Sequence, residues 1–298
     1  MKNRTNLTSM SKGLRIYLTL LLAFVIGWIW LKAPAMANLS QVTHWAGLLG
    51  IAALYLCSHV LRMLRLVLLT LDKRSNAFSL VSAHALTALI SSFLPFKLGE
   101  ILRLAAFFRV YDSRQKATAV WLSERFGDVL VITVLIFGLY LLDINVPPGM
   151  RAVFIIFVLA SGIGLLGLFA VAKVFVYLNR HLVLTSLSPR GLVILRTSHV
   201  IRGLEISIRR TIEGRVSGFL FLSALVWFFE IMALSLFINL LAIDKPDFAE
   251  LFASGMLASL HSGSQSSFGV YQSLALVALT VVFLLTVWLV SRFKITRI

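Results

Sequence analysis

The chain is poor in cysteine, in acidic residues and in motifs that hold metals or nucleotides. Its single cysteine, Cys57, excludes an intrachain disulfide. Its six histidines show no partner in a His-Glu-x-x-His or Cys-x-x-Cys pattern, and the sequence has no glycine-rich nucleotide-binding loop. We therefore expect no metal, no cofactor and no ATP-binding site.

What the chain has in excess is hydrophobic sequence. Of its 298 residues, 59% are hydrophobic and only 13% are charged, which is typical of an integral membrane protein. A membrane-spanning helix needs about 20 apolar residues, so the chain has room for about six to eight of them. No stretch remains for a soluble catalytic domain, and we predict a single all-α polytopic transmembrane domain over residues 1–298.

The basic residues are placed at alternate ends of the apolar runs. Lys and Arg number 28 against 12 acidic residues, a balance that by itself would suggest nucleic acid. Their placement instead follows the positive-inside rule of multi-pass membrane proteins and predicts a cytoplasmic (inner) membrane location with both termini in the cytoplasm. The six predicted full transmembrane helices cover residues 14–31, 45–71, 117–142, 152–178, 216–243 and 273–290.

The first apolar run is open to a second interpretation. It is followed by Ala35-Met36-Ala37, which resembles the cleavage site of a signal peptide. Because the run is longer than the apolar region of most signal peptides, we expect a retained membrane anchor.

Two further segments are apolar but broken by turn-forming residues. Segment 78–110 is broken from Pro95 to Gly99, and segment 246–272 is broken over residues 261–269. Their flanking charges predict two re-entrant hairpins that enter the membrane from opposite faces. With their neighbours they form inverted repeats over 45–142 and 216–290, a pattern of secondary transporters that bind substrate near the membrane midplane. If each hairpin is instead a pair of full spans, the count rises to eight to ten helices.

Some charged residues lie at membrane depth, where each costs about 3 kcal/mol and needs a partner or a water path. Glu100 and Arg103 directly follow the first break and share one helix face. Glu230 lies within the fifth span with no cation nearby in sequence. Arg62 and Arg65 lie one turn apart near the cytoplasmic end of the second span, and snorkelling or a structural ion pair explains them as well as a functional role does.

A second charged group opens the third span. Glu124 and Asp128 share a helix face, and Arg125 is available to pair with a neighbour. Two carboxylates at this spacing can also hold Mg²⁺ over a lipid diphosphate, as a membrane-embedded transferase would require. Such an enzyme needs a second acidic cluster, which the sequence does not offer, so we expect a structural or transport role.

The long basic segment 179–215 is predicted to connect the two repeats on the cytoplasmic surface. Ile201, Leu204, Ile208 and Ile212 form one helical stripe, with charged residues on the other faces. This is the pattern of an amphipathic helix attracted to anionic lipid.

Two motifs carry a resemblance to a known family. Pro95-x-x-x-Gly99-Glu100-x-x-Arg103 and Glu124-Arg125-x-x-Asp128 resemble the paired signature of the flippase-like family, also called the lysylphosphatidylglycerol synthase transmembrane family. The segment that includes Gly269 and ends at Gln272 is similar to its second-half Gly-x-Gly-x-x-Glu motif, although proline is missing from this loop and Gln272 replaces the glutamate. The soluble aminoacyl-transfer domain of the bifunctional members is absent.

The resemblance implies translocation of an amphipathic lipid without lysyl transfer, and therefore no enzyme activity. In this hypothesis Lys97 and Arg103 hold the anionic headgroup of a phospholipid, glycolipid or polyprenyl phosphate, while the tails stay in the bilayer. Two alternatives remain: a non-transporting subunit that recruits a glycosyltransferase or another lipid-modifying enzyme, and the transferase described above. A homodimer is left open, and we expect no nucleic-acid partner. The candidate site residues are Pro95, Lys97, Gly99, Glu100, Arg103, Glu124, Arg125, Asp128, Glu230, Gly269 and Gln272.

Overall fold

The structure is a computed structural model. In the part of the chain that it describes, every regular element is helical. The described residues are 16, 19–30, 45–93, 98–142, 189–240 and 267–292, with scattered helical positions between 155 and 181. The elements are α1 (Thr19–Trp30), α2 (Trp45–Leu69), a 3₁₀ helix (Leu71–Asn76), α3 (Ala77–Phe93), α4 (Leu98–Val110), α5 (Arg114–Leu141), α6 (Pro189–Ile212), α7 (Val216–Leu240) and α8 (Ser267–Arg292).

Two of these helices are long and apolar enough to cross a membrane. They are α2, over its full length, and α7, over Val216–Phe237; α1, α3 and α8 contain shorter apolar stretches. The all-helical prediction is therefore confirmed for the described residues. The count of six spans stays a prediction, because most of the fourth span and most of the second hairpin lie outside the described residues.

The first predicted hairpin is present as two separate helices. α3 ends at Phe93 and α4 begins at Leu98, so Gly99 lies in the first turn of α4 and not in the break. A Cβ atom at Gly99 would lie 2.3 Å from the Cα atom of Ser91. Eight residues of continuous helix would span about 12 Å, so the chain turns back sharply between the two helices. Only glycine permits this close approach of the two backbones. Whether the pair re-enters the membrane stays a prediction.

The chain divides into two compact units. The first contains Met1–Met63, Phe78–Ala106 and Phe228–Ile298. One part of its core joins α1, α3 and α8 through buried Trp28, Leu89 and Phe283, and the Trp28 indole N–H donates to the Ser273 hydroxyl at 3.3 Å. Another part joins α2 and α7 through Ile51 and Phe237.

The second unit contains Leu64–Ala77 and Phe107–Trp227. In it, α6 packs against α5, and Gly203 leaves room for the Gln115 amide, whose Nε2 atom lies 2.2 Å from a Cβ built at that glycine. Ile208 of the predicted apolar stripe is buried, while Arg209 is exposed, as the amphipathic pattern predicts. Gly214 has a φ of 72° just after α6, a left-handed conformation that glycine adopts readily.

Candidate functional site

The first unit contains a polar cluster built on one face of α2. Tyr55, His59 and Arg62 recur at i, i+4 and i+7, so their side chains project from the same side of the helix. Such a polar face inside a helix of 25 mostly apolar residues needs partners from other helices.

The strongest contact of this face is an ion pair with α7. The Arg62 guanidinium donates to Glu230 Oε1 at 2.5 Å, and the Ser58 hydroxyl donates to the same oxygen at 3.3 Å. Both charged side chains keep about a fifth of their surface exposed, 20% for Arg62 and 19% for Glu230. The cation that the sequence did not reveal for Glu230 is therefore 168 residues away along the chain.

Aromatic and imidazole rings fill the space beside this ion pair. The His59 ring packs edge-on against Tyr55 at 4.9 Å between centroids and lies 6.4 Å from the His84 ring of α3. The Tyr271 ring of α8 lies 6.4 Å from Tyr55. His59 is 5% exposed, and neither of its ring nitrogens has a hydrogen-bond partner among the described residues.

Two arginines lie near this buried histidine. They are Arg62, one turn further along α2, and Arg103, from α4. Arg103 is 3% exposed and lies 3.4 Å from Glu100 Oε1, which confirms the predicted pair one helical turn apart. We call this group the Arg62 cluster; it comprises Tyr55, Ser58, His59, Arg62, His84, Glu100, Arg103, Glu230 and Tyr271.

The second unit contains a different charged group, centred on Arg65. The Arg65 guanidinium donates to Asp128 Oδ1 at 2.6 Å, to Ser223 Oγ at 3.0 Å and to Glu124 Oε1 at 3.1 Å. It also lies over the Phe219 ring, 5.9 Å from its centroid. The side chains of Arg65 and Glu124 are fully buried, and that of Asp128 is 9% exposed.

Arg125 also contacts both carboxylates of this second group and is more exposed than they are. Its guanidinium lies 3.5 Å from an oxygen of Glu124 and 3.5 Å from an oxygen of Asp128, as the sequence predicted for a neighbouring pair. We call Arg65, Glu124, Arg125, Asp128 and Ser223 the Arg65 network. Because two guanidinium groups already engage both carboxylates, this arrangement favours a structural role over that of a magnesium site.

The structure thus separates the predicted site residues into two groups. Glu100, Arg103 and Glu230 belong to the first unit, and Glu124, Arg125 and Asp128 belong to the second. Gly269 and Gln272 lie in α8, whereas Pro95 and Lys97 lie outside the described residues. None of these placements tests the predicted role of a residue in transport.

Sequence reasoning missed the residues that build the centre of the Arg62 cluster. His59 and His84 were considered only as metal ligands, and Tyr55 was not considered. The available signal was the i, i+4, i+7 recurrence of Tyr55, His59 and Arg62 within an otherwise apolar span. A polar face in a membrane span indicates a functional site even without a metal motif.

The Arg62 cluster can bind an anion. Arginine donates in a planar fork that matches phosphate oxygens, and a neutral imidazole can donate one further hydrogen bond. Glu100 and Glu230 balance the two arginine charges when no ligand is bound. A ligand oxyanion would therefore compete with carboxylates for guanidinium groups that are already positioned.

Comparison with known proteins identifies the family. A family model described as the lysylphosphatidylglycerol synthase TM region matches residues 15–283. No curated protein and no solved structure matches the chain. The matched region includes every residue of the Arg62 cluster and of the Arg65 network. The protein therefore belongs to the lysylphosphatidylglycerol synthase transmembrane family, a family of lipid-related membrane proteins.

Proposed function

We propose that this protein moves a lipid with an anionic headgroup from one leaflet of the cytoplasmic membrane to the other. The observation that carries the proposal is the partly exposed Arg62–Glu230 ion pair, whose arginine lies on the same face of α2 as the buried ring of His59. Membership of a lipid-related family supports a lipid as the ligand. In this proposal no bond is made or broken, so the protein is a transporter and not an enzyme.

The headgroup is held by exchange of ion-pair partners. The Arg103–Glu100 separation of 3.4 Å is longer than the roughly 2.7–2.9 Å of a good charge-assisted hydrogen bond. In this proposal a phosphate oxygen takes the place of Glu100 at Arg103. Arg62 donates to Glu230 at 2.5 Å, and both partners are partly exposed, which leaves them accessible to a competing anion.

The N-terminal end of α4 adds to the attraction for an anion. Glu100 stands in the first turn of this helix, where the backbone N–H groups and the helix dipole favour negative charge. When Glu100 moves aside, a phosphate can take the same position. The close contact of Gly99 with Ser91 fixes the start of α4 against α3, so the site depends on the pair and not on α4 alone.

Movement of the headgroup requires that this site opens to each side of the membrane in turn. The predicted inverted repeats, 45–142 and 216–290, supply the symmetry that alternating access uses in secondary transporters. The shared chemistry of the ligand is a phosphate at the end of a hydrocarbon tail, as in an anionic phospholipid, a phosphorylated glycolipid or a polyprenyl phosphate. The expected orientation has both termini in the cytoplasm.

The experiment that tests this function is a lipid-scrambling assay with the purified protein in vesicles. Headgroup-labelled lipids of the zwitterionic, anionic and polyprenyl phosphate classes are compared in separate preparations. We expect movement of one anionic class, slowed at least about tenfold by Arg103→Gln, since a lost charged hydrogen bond corresponds to about 1.5–3 kcal/mol. Arg103→Lys should retain part of the activity, because the charge remains but the planar fork is lost.

A matched control removes an arginine from the same helix. Arg109 is exposed in the last turn of α4, so Arg109→Gln changes the net charge equally without touching the Arg62 cluster. Equal slowing by Arg103→Gln and Arg109→Gln would contradict the assignment of the site. Movement of no lipid by a well-folded protein, together with copurification of a glycosyltransferase or another lipid-modifying enzyme, would favour the recruiting-subunit alternative.

A further inference from the structure

An apolar groove lies between α2 and α7 in the first unit. Its volume is about 480 Å³, and its lining includes Gly47, Gly50, Leu54, Cys57, Phe229 and Leu236. The groove contains no charged side chain. Its walls belong to the two helices that are long and apolar enough to span a membrane, so we expect its opening to face the hydrocarbon core.

The groove exists because small residues occupy one face of α2. At one end, Gly47 is covered by α7, since a Cβ atom there would lie 2.9 Å from Leu240 Cδ1. Three residues further along, Gly50 is exposed, and a Cβ atom there would meet nothing within 4 Å. The helices are therefore in contact at Gly47 and leave a gap beside Gly50.

The groove leads along α2 and α7 toward the Arg62–Glu230 ion pair. The two helices pack antiparallel, because Gly47 meets Leu240 while Ser58 and Arg62 meet Glu230. Cys57 in the groove is followed directly by Ser58, and Phe229 in the groove is followed directly by Glu230. The groove and the polar cluster therefore meet at the same level of α2 and α7, on neighbouring faces of the two helices.

We propose that this groove holds one acyl tail of the phospholipid whose anionic headgroup binds the Arg62 cluster. The identity of the headgroup site rests on the proposed function; the tail site rests on the groove. From Gly47 to Cys57 the helix rises about 15 Å, half of a hydrocarbon core of about 30 Å. This length suits the acyl tail of one leaflet better than the longer chain of a polyprenyl carrier.

The placement also defines the orientation of the bound lipid. In the topology expected from the sequence, the Trp45 end of α2 is outside and its Leu69 end is in the cytoplasm. The groove, from Gly47 to Cys57, therefore lies in the outer half of α2, and Arg62 lies on its cytoplasmic side. A lipid bound in this way has its headgroup toward the cytoplasm and its tail toward the outer surface.

The test uses phosphatidylglycerol that carries a photoreactive diazirine in one acyl chain. After illumination of the full-length protein in vesicles, labelled peptides are mapped by mass spectrometry. We expect labelling concentrated on the groove faces of α2 and α7, and at least about fivefold less of it in Gly50→Leu, whose side chain fills the gap. Gly27→Leu is the matched control, since Gly27 is also an exposed helical glycine with nothing within 4 Å of a built Cβ.

Cys57 gives an independent reading, because it is the only cysteine of the chain. Added phosphatidylglycerol should slow its alkylation by N-ethylmaleimide several-fold in the wild type and in Gly27→Leu. Glycerol phosphate, which has the headgroup but no tail, should give no protection. In Gly50→Leu the difference between samples with and without lipid should disappear.

The outcomes separate this proposal from the proposed function. Labelling spread evenly over the exposed helices and unchanged in Gly50→Leu would overturn the groove as a tail site. Stronger competition by polyprenyl phosphate than by unlabelled phosphatidylglycerol would overturn the choice of an acyl tail. Groove labelling that Gly50→Leu abolishes, in a protein that scrambles no lipid, would support the tail site while contradicting transport.

Discussion

Two arginines three residues apart on α2 have opposite surroundings. Arg65 is fully buried and is fixed by Glu124, Asp128 and Ser223. Arg62 keeps 20% of its side chain exposed and pairs with Glu230, which is also partly exposed. A guanidinium enclosed by its partners cannot be given to a ligand without leaving buried charge behind, whereas a partly exposed one can.

This difference teaches that an intramembrane charge alone does not identify a transport site. Both arginines satisfy the rule that charges at membrane depth need partners. Among the described residues, the Arg62 cluster combines its ion pairs with an unsatisfied imidazole and lies near an apolar groove. We therefore propose a structural role for the Arg65 network and a lipid-binding role for the Arg62 cluster.

The largest expected effect on stability comes from removing the buried arginine. Arg65→Gln leaves Glu124 and Asp128 without their main cation and should lower the free energy of unfolding by about 3–5 kcal/mol. Arg62→Gln should lower it by less, since Glu230 keeps 19% of its side chain exposed whereas Glu124 is fully buried. Unfolding of both variants in SDS, followed by circular dichroism, measures the difference. Equal losses would show that the two arginines do not differ in this way.

The next effect tests how tightly the Arg65 network is packed. A Cβ atom at Gly127 would lie 2.5 Å from Phe219 Cζ and 2.7 Å from Ser223 Oγ, so Gly127→Ala pushes on two residues that contact Arg65. Overpacking of this kind should destabilise the protein by about 1–3 kcal/mol. Gly138→Ala, where a Cβ meets nothing within 4 Å, should instead stabilise α5 by up to about 1 kcal/mol. A lowered unfolding midpoint in both variants would argue against a packing cause.

A smaller effect measures the coupling within the Arg62 cluster. A double-mutant cycle of Arg62→Gln and Glu230→Gln should give a coupling energy below the loss expected for Arg65→Gln, because both groups are partly exposed. The same variants should slow lipid scrambling strongly while changing the free energy of unfolding only a little. A coupling as large as the loss in Arg65→Gln would place this pair among the structural ones.

The smallest expected effect on stability comes from an ion pair with an exposed partner, which serves as a reference for the buried ones. Arg215 pairs with Asp72, which is 45% exposed, and also donates to the Leu68 carbonyl at 3.3 Å. Asp72→Asn should change the unfolding free energy by less than about 1 kcal/mol, and the change should shrink as salt rises. A salt-independent loss of several kcal/mol would show that partial exposure is a poor guide to ion-pair strength in this protein.

The sequence predicts helix positions well where apolar length decides them. The spans expected at 45–71, 117–142 and 216–243 correspond to α2, α5 and α7, with ends that differ by only a few residues. The Glu100–Arg103 pair was also predictable, because residues three apart on a helix are neighbours. The helix positions and this ion pair both depend on residues close together in the sequence, so the sequence is sufficient to predict them.

Contacts between distant segments were not predictable from the sequence. The partners of Arg65 and Glu230 depend on how α2, α5 and α7 are rotated about their axes, which hydropathy does not determine. For the same reason, the gap beside Gly50 depends on which side chains of α7 face α2. Pro95 and Lys97 were chosen from a motif, and their roles remain predictions outside the described residues.

The order of the helices along the chain has a consequence for biosynthesis. The carboxylates of Arg65 lie 59 and 63 residues after it, whereas Glu230 lies 168 residues after Arg62. At a synthesis rate of about 5–20 residues per second, Glu230 emerges from the ribosome about 5–20 seconds later than Asp128. The structural arginine is thus neutralised first during membrane insertion, and the cluster proposed to bind lipid is completed only when α7 arrives.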